Sequence, residues 1–188
     1  MTRWEPNARG RLELAALELY RERGYDQVTV AEIARHAGLT ERTFFRYFAD
    51  KREVLFYGSG MLQERIVTAI GDAPEGPPPL DVVGAALESA AEAMDARRDL
   101  AWRRQAIVEA NPELRERELI KLATLAAAIA DALRGRGVAD PAASLAAEAG
   151  IAVFKIAFRR WVSEDVEQPL ASVIRQSLTD LKAVAAER

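Results

Sequence analysis

Between Thr40 and Lys51 the chain reads Thr-Glu-Arg-Thr-Phe-Phe-Arg-Tyr-Phe-Ala-Asp-Lys. Arg42, Arg46 and Lys51 supply charged N–H donors, and Thr40, Thr43 and Tyr47 supply hydroxyls. Such groups suit phosphate oxygens. An arginine also has the fork that takes a guanine edge bidentately. The rings among them need a separate reason, because six of the chain's 13 aromatic residues fall between Phe44 and Tyr57. Phe44 and Phe48 are four apart and share a helix face. A helix of two turns has little area to bury, and rings of ~150–250 Å² each anchor it. The expected packing partners are Leu19, Ile33 and Leu55.

The elements that must hold these groups read as helices. Leu12, Ala15, Ala16 and Leu19 recur at i, i+3, i+4 and i+7, one face of a helix that Gly24 stops. Thr29 and Glu32 have capping-box spacing. Gly38 ends that second helix after about two turns, since glycine tolerates positive φ. Thr40 caps a third short helix through Phe48. Two short helices joined by His-Ala-Gly-Leu-Thr form a helix-turn-helix pattern, whose second helix enters a major groove. Asp50 and Glu53 repeat the capping spacing, and a longer helix is expected from Lys51 to about Ile70. Pro77–Pro79 break the chain. Further helices are expected near 80–96, 99–110, 112–134, 141–164 and 168–186. The fold class is thus all-α: a three-helix head at 1–50 and a helical-bundle body at 51–188, about nine helices in all.

Composition narrows the function classes. A chain of 188 residues with 49% hydrophobic residues can build a real core. It has no cysteine and one histidine, which argues against disulfide or thiolate sites and against a histidine metal site. No apolar run reaches the ~18–20 residues of a membrane span. The N-terminal residues lack a signal peptide's apolar core, so the chain reads as cytoplasmic. Net charge is −3, which speaks against indiscriminate binding to nucleic acid. Residues 1–52 carry 10 Lys/Arg and 8 Asp/Glu, and the remainder 16 and 21, so any DNA contact rests on placement. No nucleophile–base pair, metal cluster or glycine-rich phosphate loop is present, so neither an enzyme nor a cofactor is expected.

The stretch Thr-Val-Ala-Glu-Ile-Ala-Arg-His-Ala-Gly-Leu-Thr-Glu-Arg-Thr-Phe-Phe-Arg-Tyr-Phe-Ala-Asp-Lys-Arg-Glu-Val-Leu resembles the signature of the TetR/AcrR family of transcriptional regulators. Thr29, Val30, Ile33, Ala34, Ala37, Gly38, Leu39, Thr40, Thr43, Phe44, Tyr47, Phe48, Lys51 and Leu55 all lie on it. The sequence departs at Glu41-Arg42, where the family commonly has Lys-Gly or a similar pair, and at Phe45, where it has tyrosine. The resemblance implies a homodimer that binds pseudo-palindromic double-stranded operator DNA through its heads. It also implies a small-molecule effector in the body whose binding releases the DNA. A helical receptor or carrier that no longer binds DNA is the alternative.

The expected DNA-binding set is Thr29, Thr40, Glu41, Arg42, Thr43, Phe45, Arg46, Tyr47 and Lys51, with Thr40, Thr43, Tyr47 and Lys51 as phosphate ligands. Arg42 reads either as a guanine contact or as a solvated charge. Glu41 reads as a cytosine contact or, preferably, as a complement to its helix N-terminus. Phe45 reads as a thymine-methyl contact or as packing. His36 reads as a helix cap or a phosphate contact, and Arg3, Arg9 and Arg11 as contacts to backbone or minor groove.

In the body, Phe154, Phe158 and Trp161 stand at i, i+4 and i+7, with Met94, Trp102, Ile107 and Leu125 as expected neighbours. They read as a ligand pocket or as plain core. Arg103 and Arg159 read as partners of an anionic ligand or of carboxylates. Leu170, Val173, Ile174, Ser177, Leu178 and Leu181 form a stripe almost too wide for one intrachain partner. Ala142, Ala146, Ala149 and Gly150 permit close approach on the helix before it. Two helices from each chain would then make a four-helix dimer interface.

Overall fold

The computed structural model describes residues 7–163 and 167–186. The expectation for Arg3 lies outside the described residues. Within them every regular element is helical: α1 Ala8–Arg23, α2 Val30–His36, α3 Glu41–Tyr47, a 3₁₀ turn Glu53–Phe56, α4 Ser59–Gly71, α5 Pro79–Asp95, α6 Arg98–Ala110, α7 Pro112–Gly135, α8 Ala142–Trp161 and α9 Leu170–Ala186. None of these helices is long and apolar enough to cross a membrane.

Two compact units form. One runs to Gly58 and includes Arg103–Glu118; the other holds Ser59–Trp102 and the chain from Leu119 onward. The division expected after Asp50 falls at Gly58 instead. The single helix expected from Lys51 to Ile70 is two pieces, the 3₁₀ turn and α4. Gly58 lies in the break and Gly60 in the first turn of α4, and glycine costs a helix interior about 1 kcal/mol relative to alanine.

In the first unit, Leu12, Ala15, Ala16, Leu19 and Tyr20 of α1 pack with Ile33, Ala34, Phe44, Phe48, Val54, Leu55 and Phe56, all buried. Phe44 and Phe48 are therefore core, as their spacing requires. The segment Arg103–Glu118 belongs to this unit, and its Val108 and Leu114 are fully buried. Polar contacts add to it. Arg104 Nε donates to Leu55 O at 3.0 Å, and its guanidinium lies 4.8 Å from the Phe56 ring centre. Arg117 Nε donates to Glu53 at 2.6 Å, and Arg52 Nη1 to Glu113 at 3.0 Å.

The second unit centres on α5, α8 and α9, with α4 against α5. Gly84 and Gly150 allow the close approach. A Cβ at Gly84 would collide with Leu178, and one at Gly150 with Val83. The α9 stripe is consumed here. Leu170, Val173, Ile174, Ser177 and Leu178 are buried within their own chain, and Leu181 packs against the same cluster. Of the six residues expected at a dimer interface, these five are instead buried in their own chain, where α9 packs on both α5 and α8, and Leu181 is partly covered. Ser177 Oγ is buried with no hydrogen-bond partner among the described residues.

Candidate nucleic-acid interface

The turn between α2 and α3 is built by caps and one glycine. Gly38 has φ +66°, the left-handed region that disfavours a side chain. The Thr29–Glu32 capping box is complete. The Thr29 N–H and hydroxyl both donate to Glu32 Oε2 at 2.9 Å, and the hydroxyl accepts the Glu32 N–H at 3.3 Å. The Thr29 N–H first, and then its hydroxyl, hold the Glu32 carboxyl below its ordinary range. Thr29 thus has both donors engaged and a carboxylate beside it. Its assignment to the DNA-binding set is corrected to helix capping.

Thr40 caps α3 by accepting the Thr43 N–H at 3.2 Å, and the two threonine hydroxyls lie 3.0 Å apart. One of them donates to the other, so one hydroxyl donor of the pair stays available. Glu41 sits in the first turn of α3, where a carboxylate complements the helix dipole. At about 100° per residue, Arg42 and Arg46 each lie about 160° round the helix from buried Phe44. Both are exposed. Arg42 forms no hydrogen bond or ion pair with a described residue. Phe45 is 56% exposed, with its ring edge-on to Phe44 at 5.5 Å. Arg46 Nη2 donates to Tyr47 Oη at 2.9 Å, and its guanidinium lies 4.8 Å from the Tyr47 ring centre. His36 Nε2 lies 2.8 Å from Glu18 Oε2, which occupies it with a carboxylate.

Lys51 departs from expectation. Its Nζ donates to the carbonyls of Tyr25 at 2.9 Å, Val28 at 3.1 Å and Asp26 at 3.4 Å. It also sits 4.3 Å from the Tyr25 ring centre, and its own carbonyl accepts from Tyr20 Oη at 2.8 Å. An ammonium has three N–H donors. All three point into the α1–α2 loop, so the assignment of Lys51 as a phosphate ligand is corrected to a pin between that loop and the 3₁₀ turn. Arg11 is likewise turned inward, onto the Ala37 carbonyl.

The expected ligand-pocket residues divide. Leu125, Phe154 and Trp161 belong to the core of the second unit, with Met94 and Phe158 packed against it. Phe154 to Phe158 is 5.9 Å and Phe158 to Trp161 5.7 Å between ring centres. Ile107 is buried in the other unit, and Trp102 is 46% exposed. Those two do not join the aromatic column: spacing gave no information on which side of α6 each would face. Another feature escaped the sequence reading. Leu145 (65% exposed) and Ile156 (48%) lie with Ala149 and Ala152 on one outward face of α8. Their spacing of i, i+4, i+7 and i+11 was the available signal. No group of three or more His, Asp or Glu residues fit to hold a metal occurs among the described residues.

A helix-turn-helix with a buried aromatic keel and two outward arginines, in a chain otherwise helical, has the build of a DNA-binding transcriptional regulator. The family described as bacterial regulatory proteins, tetR family, matches residues 14–57, and that described as the MftR C-terminal domain matches residues 77–186. The chain belongs to the TetR family of transcriptional regulators. It is 36% identical over 81 residues to the HTH-type transcriptional regulator TcmR of Streptomyces glaucescens. That match covers 43% of this chain and only 36% of TcmR. Among solved structures it is similar to Thermus thermophilus FadR, a TetR-family repressor in complex with lauroyl-CoA, with 25% identity, 96% of each chain covered and TM-score 0.55. It shares its fold with Bacillus subtilis FadR in complex with stearoyl-CoA, with 22% identity, 92% and 96% covered and TM-score 0.59.

Proposed function

We propose that this chain is a homodimeric repressor that binds a pseudo-palindromic operator and is released from it by a small, largely apolar ligand. The observation that carries the DNA reading is the outward face of α3: Arg42 is exposed and has no partner among the described residues, opposite a keel of Phe44 and Phe48. Arg42 reads a base, Phe45 offers an apolar edge to a thymine methyl, and Thr40, Thr43, Arg46 and Tyr47 serve the backbone. One head covers too little groove to select a genomic site. Two heads meet successive major grooves when their centres lie ~34–36 Å apart.

The dimer face is the outward side of α8, where Leu145, Ala149, Ala152 and Ile156 stand within about 60° of one another at 100° per residue. Two alanines in that row permit close approach of a second copy. The ligand reading rests on the Phe154–Phe158–Trp161 column, and the acyl-CoA complexes of the two FadR proteins support an apolar effector. The protein acts in the cytoplasm, beside its DNA, and no catalytic step is assigned to it.

Selection of bound duplexes from random DNA tests the reading. Enrichment of a two-fold symmetric site is expected, and Arg42→Ala should cost about 1–3 kcal/mol on that site and relax one base position. An equal loss on every sequence would put Arg42 on the backbone. No enrichment at all would leave the receptor reading in its place.

A further inference from the structure

Two exposed arginines near Tyr47, Arg9 and Arg46, meet no carboxylate of a described residue, and Arg9 comes from outside the helix-turn-helix. Arg9 lies in the first turn of α1, exposed, with its guanidinium 5.2 Å from the Tyr47 ring centre and 5.9 Å from that of Tyr57. Arg46 approaches the same Tyr47 ring at 4.8 Å and donates to its hydroxyl oxygen at 2.9 Å. Two guanidinium groups thus share one ring, and neither pairs with a carboxylate of a described residue. Other arginines of the chain do meet carboxylates: Arg23 pairs with Glu32, Arg104 with Glu118, Arg117 with Glu53 and Arg175 with Glu88. The first turn of α1 has no acidic residue either. A cation there is disfavoured by the helix dipole. The Tyr47 oxygen accepts from Arg46, which leaves the hydroxyl proton to be donated outward.

We propose that Arg9, Arg46 and Tyr47 form a clamp for one backbone phosphate of the bound duplex. It rests on the DNA-binding reading above and adds to it a contact from α1. The chemistry fits a phosphodiester: two planar guanidinium forks and a hydroxyl donor around an anion with several acceptor oxygens. The tyrosine ring orients both forks through cation–π contact.

The test is fluorescence anisotropy of the full chain on its selected duplex and on a scrambled one, over a range of salt, for wild type, Arg9→Gln, Arg9→Lys and Arg46→Gln. Thermal melts of each variant control for folding. Arg9→Gln should weaken both duplexes alike and flatten the log affinity against log salt plot by roughly 0.9, which is roughly an eightfold loss at 0.1 M salt relative to 1 M. Arg9→Lys should keep the slope. An unchanged slope for Arg9→Gln, alongside a fall for Arg46→Gln, overturns the clamp and leaves the DNA reading standing. A loss confined to the selected duplex also overturns it, because Arg9 would then be reading bases. Inorganic phosphate at matched ionic strength should displace no more DNA from wild type than from Arg9→Gln. Selective displacement would make this a free-anion site instead. A wild-type chain that binds no duplex at low salt sinks both readings.

Discussion

Replacing Lys51 by methionine separates two roles that a DNA-binding head can give a lysine. Methionine keeps most of the stem and removes the charge and all three donors. In the structure those donors hold the carbonyls of Tyr25 and Val28 at 2.9 and 3.1 Å and that of Asp26 at 3.4 Å. Hydrogen bonds from a charged donor contribute about 1.5–3 kcal/mol each, and a cation over a ring about 0.5–1 kcal/mol. The Asp26 contact is long, and Lys51 is only half-buried, so the lower end of each range applies. The expected cost is then about 2–4 kcal/mol, set by the two shorter bonds and the ring.

Two measurements on one protein decide. Amide exchange should show faster opening of the Tyr25–Val28 loop and of α2. The slope of log affinity against log salt should stay at the wild-type value, since no counterion is released by an ammonium that never reaches DNA. A slope lower by about 0.9 with exchange unchanged would refute the reasoning and return Lys51 to the phosphate set.

Acid should weaken the head in a defined window. The Arg52 side chain, donating to Asp50 Oδ2 at 2.6 and 3.1 Å, and then the N–H groups of Arg52 and Glu53, hold the Asp50 carboxyl below its ordinary range. A depressed folded-state value contributes stability that is present above the unfolded carboxylate value, about 3.9, and lost as pH falls through the folded one. Asp50→Asn should therefore flatten the fall in melting temperature below about pH 4; an equal fall in both proteins would exclude Asp50 as its source. Ser177→Ala should leave stability unchanged or raise it by up to about 1 kcal/mol, because it removes a buried hydroxyl without a partner among the described residues and adds helix propensity. A clear loss in urea melts would show that Ser177 Oγ has a partner after all. Leu145→Glu with Ile156→Glu should yield a folded monomer by sedimentation, whereas Leu178→Glu should unfold the second unit. A dimer that survives the first pair places the interface elsewhere.

The fold was legible where local rules decide it. Gly24, Gly38, the Thr29–Glu32 box and Thr40 mark helix ends by short-range chemistry, and all four behave as read. The i, i+3, i+4 rows correctly gave the buried faces of α1 and the keel of α3. What such rows do not carry is the identity of the covering partner. The α9 stripe is as apolar as a dimer seam, yet α5 and α8 of the same chain cover it. The α8 face with Leu145 and Ile156 is poorer in apolar residues, and it is the one left open. The width of a stripe therefore does not by itself distinguish two intrachain neighbours from a second copy.

The site followed the same division. Residue type and spacing put hydroxyls and cations on and around α3, but the use of each cation depends on acceptors distant in sequence. Lys51 meets carbonyls 23 to 26 residues earlier in the chain, and Arg11 one 26 residues later. No periodicity reports such pairings. Once the carbonyls are in place, each N–H has a definite destination, and a donor spent inside the fold is unavailable to a phosphate outside it. Arg42 is the opposite case. It lies across α3 from Phe44, where no described residue offers it a carbonyl or a carboxylate. The donor count that engages Lys51 inside the fold therefore leaves the Arg42 donors open on the proposed DNA face.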